Sequence, residues 1–148
     1  MGSEMCIRDR DSSLCQFVLE QLKGKLDLHH TSLTPVDCLA VSYFISCIKV
    51  KYLDVSHCGM TDTGVASLAD ALHTNNTLET LDIDGNDALT ENGLTCLVEV
   101  LSRNSGVVEL WLPMHLRSSV DKVRKTVNEA RKRSGLVAIK VWGKYYER

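Results

Sequence analysis

At 148 residues, 44% of them hydrophobic and 24% charged, the chain can bury one sizeable core as a single domain. Its formal net charge of −2 argues against nonspecific nucleic-acid binding as the main role. No run of about 18 apolar residues occurs and the N-terminus lacks the apolar stretch of a signal peptide, so neither a membrane span nor a membrane partner is expected.

Met1 to Arg10 fits no later pattern and reads as an artefactual or disordered leader (1–10) before a repeat domain over 11–148. Ser13 to Leu22, with Leu14, Phe17, Val18 and Leu22 on one face, reads as a helix closing a preceding, truncated repeat. The natural polypeptide is therefore expected to continue upstream of residue 11 and to end near Arg148. Expressed alone, the chain is expected to self-associate through its uncapped N-terminal edge.

From Leu26 onward one pattern keeps returning. Leu26, Leu53, Leu81 and Leu110 follow each other at intervals of 27, 28 and 29 residues. The best copies are Val50-x-x-Leu53-x-Val55-x-x-Cys58, Leu78-x-x-Leu81-x-Ile83-x-x-Asn86 and Val107-x-x-Leu110-x-Leu112, with a weaker one at Leu136-x-x-Ile139-x-Val141. An L-x-L core sends alternate side chains to opposite faces, so each copy predicts a short strand. Residues 25–28, 52–55, 80–83, 109–112 and 138–141 are the expected strands of one parallel sheet. Between them, Val65, Leu68, Ala69 and Leu72, and then Leu94, Leu97, Val98 and Leu101, carry helical spacing. Thr34-Pro35, Thr61 and Thr90 stand at the helix starts. A fourth helix spans Ser118 to Arg133. Thr31, Cys58 and Asn86 sit where the chain leaves the strand and can satisfy backbone groups there, Asn fully and Cys more weakly.

The stretch LDVSHCGMTDTGVASLADALHTNNTLETLDIDGN resembles the ribonuclease-inhibitor type of leucine-rich repeat, which also forms the sensor ends of NACHT-containing innate-immune receptors, the NLR group. The resemblance is close over 50–112 and looser over 24–49 and 113–142. Lys23, the extra residue at Ala88–Leu89 and Met114-His115 depart from the pattern. The resemblance implies an α/β solenoid, a curved parallel sheet with helices on its convex side. It also implies a protein partner and a ligand-sensing or autoinhibitory role in a cytosolic receptor. The alternative it carries is a ribonuclease-inhibitor-like regulator that docks on an enzyme through an acidic concave face.

Stacking the repeats builds outward columns. The central one is expected to hold Asp27, Asp54, Asp82, Trp111 and Lys140; the first, Lys25, Tyr52, Thr80, Glu109 and Ala138; the third, His29, Ser56, Asp84, Pro113 and Trp142. Tyr52, Asp54, Asp82, Asp84 and Trp111 are the candidate protein-interaction residues. The acidic row is either a surface for a basic partner or a solvated row of charge. Trp111 is either an exposed anchor or is covered by a C-terminal segment carrying Tyr145 and Tyr146.

Other chemistry finds little support. His30 and His57, with Cys58, could be imagined as metal ligands but read as turn residues, so no metal and no cofactor is assigned. The basic run Lys122, Arg124, Lys125, Arg131, Lys132 and Arg133 reads as a solvated convex face. No phosphate-binding loop and no nucleophile–base pair is present, and the expected function is not enzymatic. None of Cys6, Cys15, Cys38, Cys47, Cys58 and Cys96 forms C-x-x-C, and free thiols predict a reducing, cytoplasmic setting.

Overall fold

A computed structural model describes residues 22–143. Five strands pair in parallel in chain order: β1 (Lys25–Asp27), β2 (Tyr52–Asp54), β3 (Thr80–Asp82), β4 (Glu109–Leu112) and β5 (Lys140–Gly143). Helices α1 (Pro35–Cys47), α2 (Asp62–Leu72), α3 (Glu91–Leu101) and α4 (Val120–Arg133) alternate with them, and Met114–Ser119 forms a 3-10 turn before α4. No described helix is long and apolar enough to cross a membrane. The leader over 1–10 and the expected Ser13–Leu22 helix, all but its last residue, lie outside the described residues.

The L-x-L pattern acts as expected. Leu26, Leu53 and Leu81 are in register on adjacent strands, and Leu81 pairs with Leu110. Leu53, Leu81 and Leu110 are fully buried, as are Val55, Ile83 and Leu112. The helices close the other side with Val65, Leu68, Leu72, Leu94, Leu97 and Leu101, all buried. Beyond the short ladders the repeat-to-repeat bonding continues: the Val55 N–H donates to Asp82 O (3.0 Å) and that of Ile83 to Trp111 O (3.0 Å).

Two polar columns fix the turns. At the strand exit, Asn86 Oδ1 accepts from the N–H groups of Cys58 (3.1 Å) and Met60 (2.9 Å), and its Nδ2 donates to Val55 O (3.0 Å) and Ile83 O (2.8 Å). Cys58 does less, its thiol donating to Leu28 O at 3.0 Å. At the opposite turn, Asn75 donates to Ile45 O and Asn104 to Leu72 O and Asn75 O. Arg131 takes the next place in that column. It is 1% exposed, and its guanidinium donates to Leu101 O (2.9 Å), Val137 O (2.9 Å), Val107 O (2.7 Å) and Asn104 O. The solvated basic face expected of α4 thus loses one member to the interior.

Helix starts follow their sequence signals unevenly. Thr34 and Asp37 form a reciprocal capping box with Pro35 in the first turn. Thr90 Oγ1 accepts from the Asn92 N–H, whereas Thr61 makes no side-chain cap bond. Instead Asp62 reaches across the repeat and accepts from the Thr90 N–H (2.8 Å) and hydroxyl (2.5 Å). Burial opposes ionisation of Asp62, but these bonds and the Gly93 N–H outweigh it and lower its pKa.

The last strand corrects the expected register. It begins at Lys140, two residues later than the sequence pattern placed it, and pairs Leu110 with Val141 and Trp111 with Trp142. The cause is the end of α4. Gly135 adopts φ +71°, its N–H donates to Lys132 O (3.2 Å), and the Leu136 N–H donates to Arg131 O (2.9 Å). This is a Schellman closure, in which Leu136 is the apolar residue that follows the left-handed glycine. Leu136 therefore belongs to the helix end and not to a strand core.

Candidate concave interaction face

The outward residues of the strands form the concave columns, and the corrected register changes two of them. Lys140, expected in the central column, stands beside Glu109 in the first, and Ala138 falls outside the strand. Trp142, expected in the third column, stands in the central one beside Trp111. The two indoles stack with centroids 5.8 Å apart and planes 26° from parallel. Trp111 is half-buried and its Nε1–H donates to Glu109 Oε1 (2.9 Å); Trp142 is 41% exposed on the outermost strand. Tyr145 and Tyr146 lie outside the described residues. A sequence signal for the pair existed: Leu110-Trp111 and Val141-Trp142 are the same inward-aliphatic, outward-indole step. Leu136 masks it, because its spacing to Ile139 and Val141 matches that of an earlier repeat.

Tyr52 lies at the other end of the face, two strands from Trp111, with Lys25 Nζ 4.8 Å from its ring centroid. Beyond Asp27, which is exposed, the acidic residues form neither an open patch nor a solvated row. Asp54 is 9%, Asp82 0% and Asp84 4% exposed. Each strand-terminal Asp caps the chain two residues on. Asp54 Oδ1 accepts from the Ser56 N–H (3.0 Å) and hydroxyl (2.6 Å), and Asp82 Oδ1 from the Asp84 N–H (3.1 Å). These bonds satisfy donors where the strand pairing stops.

Asp27 repeats this role with an imidazole, its Oδ1 bonding the backbone N–H and ring Nδ1 of His29. The hydrogen bond from His29 holds the Asp27 carboxyl below its ordinary pKa, and the same bond raises that of His29. The raised imidazole makes a contribution that is full below its unfolded pKa and is lost as pH rises through the folded one. The depressed carboxyl makes one that is full above its unfolded pKa and is lost as pH falls through the folded one. Between those limits the pair is complete. NMR titration of His29 should give a midpoint above the ordinary imidazole value, and Asp27→Asn should return it towards that value.

His30 and His57 occupy one column with Gly85, all at positive φ (61°, 54° and 69°). The two imidazoles stack face to face, 4.7 Å apart and 11° from parallel. A Cβ on Gly85 would stand 2.3 Å from the His57 ring, so glycine is required both by the backbone and by the ring lying over it. Ring-nitrogen lone pairs lie in the ring planes, so stacked rings do not converge on one ion. Cys58, with its thiol turned to backbone carbonyls, adds no ligand to them.

These features define a leucine-rich repeat fold. A family model described as leucine-rich repeat matches residues 46–69 and 74–98. Among curated proteins none matches the sequence. Among solved structures, the chain is similar to Leiomodin-1 Actin-Binding Site 2, at 16% sequence identity and a TM-score of 0.66, over 84% of this chain and 71% of that one. Identity at that level speaks for the fold alone.

Proposed function

We propose that this chain is a non-enzymatic protein-interaction module, the ligand-sensing or autoinhibitory leucine-rich repeat end of an NLR-like cytoplasmic receptor. The observation that carries the interaction reading is the Trp111–Trp142 pair on the concave face. A large aromatic facing outward gains little from the core, and tryptophan is enriched among the residues that dominate binding energy. The repeat sequence over 50–112 supplies the NLR likeness. The acidic-face alternative has less support, because Asp54, Asp82 and Asp84 are buried and Asp54 and Asp82 already accept hydrogen bonds.

The test is capture of a separately expressed NACHT segment of such a receptor by the full chain. Trp142→Ala should weaken it by about 2 kcal/mol or more while thermal unfolding stays unchanged, as expected of a hot-spot residue. Salt-sensitive inhibition of a basic ribonuclease, with no NACHT capture, would favour the alternative. Unimpaired capture by Trp111→Ala and Trp142→Ala variants would remove the aromatic pair from the interface.

A further inference from the structure

We propose that Asp27, His29 and Asp54 form a binding site for a zinc-class divalent cation at the β1–β2 end of the concave face. Strand register sets Asp27 directly beside Asp54, and His29 is the next outward residue after Asp27. One ligand atom from each, two carboxylate oxygens and an imidazole nitrogen, lies within 4.8 Å of the others. A tetrahedral ion with bonds of roughly 2.0–2.2 Å needs its ligands about 3.3–3.6 Å apart, so the three atoms must draw together by roughly an ångström around it.

The donor set selects the ion. Calcium takes about six to eight oxygens, which this corner does not offer, whereas zinc accepts three nitrogen and oxygen ligands and a water. The site is open to solvent, with the His29 and Asp27 side chains 52% and 36% exposed. Asp54 is oriented by Ser56, which donates twice to its Oδ1. The ion would replace the proton that His29 and Asp27 share and draw on the carboxylate that Lys25 approaches at 3.8 Å. It would tie β1 to β2 and leave a coordination position for a donor from outside the chain.

Calorimetric titration of the full chain with Zn²⁺, and Co²⁺ absorption as an optical probe, decides the matter. One ion per chain is expected, with a tetrahedral cobalt spectrum. His29→Gln, a change at an exposed side chain outside the core, should weaken binding on the order of tenfold or more, as should Asp54→Asn. His30→Gln and His57→Gln should bind as the parent does. Absence of binding, or equal affinity in the His29→Gln variant, would overturn the proposal, the latter by placing the ion elsewhere. Should Asp54→Asn fail to fold, the His29→Gln result still decides.

Discussion

Replacing Leu81 by alanine should destabilise the chain by about 2–5 kcal/mol, measured by denaturant unfolding. Leu81 is fully buried, and its strand is the third of five, with Leu53 on one side and Leu110 on the other. A cavity there is lined by two neighbouring repeats and cannot collapse without moving both. In a solenoid the stability of each repeat is tied to its neighbours, so the loss should spread along the chain. A cost below about 1 kcal/mol would mean that this leucine does not stand in a packed column.

The second large effect should come from Arg131. Its guanidinium meets four backbone carbonyls from three segments, the end of α3, the loop that follows it and the approach to β5. Burial depresses its pKa, yet among the described residues no salt bridge involves it, so carbonyl dipoles stabilise the charge. Arg131→Ala would leave three of those carbonyls buried without a donor, at roughly 1–3 kcal/mol for each group that water does not reach, and should cost at least about 3 kcal/mol in total. Arg131→Lys should recover less than half of that loss, because a single ammonium cannot span the fork that a planar guanidinium fills. Full stability in the lysine variant would show that charge alone suffices.

Leu81 and Arg131 also mark what the sequence discloses. A period of 27 to 29 residues with alternating leucines dictates the parallel sheet, because no other arrangement buries every copy of the same face. Four of the five strands accordingly fall where the pattern puts them. The fifth does not, because Leu136 satisfies the spacing of a strand core equally well as the residue after a Schellman glycine. Apolar spacing records that a side chain is buried but not which element buries it. Arg131 was unreadable for a related reason: within Arg131-Lys132-Arg133 only the α4 face towards the neighbouring turn separates an interior guanidinium from solvated ones. Alternation places Asp54, Asp82 and Asp84 outward and so predicts a surface position for them. Their burial and their hydrogen bonds to residues two positions on depend on sheet curvature and local turns, which the period does not encode.

Among the described residues, five buried side chains that join repeats face the same way along the chain. Cys58 reaches back to Leu28, Asn75 to Ile45, Asn86 to Val55, Asn104 to Leu72 and Arg131 to Leu101. Each repeat therefore depends on the one made after it to satisfy its own turns. During synthesis, a repeat leaving the ribosome carries unanswered carbonyls until its successor emerges, so folding should lag the growing end by one full unit. A chain stopped early should lose its last completed repeat as well as the missing one, whereas removal of the first repeat takes away only a recipient.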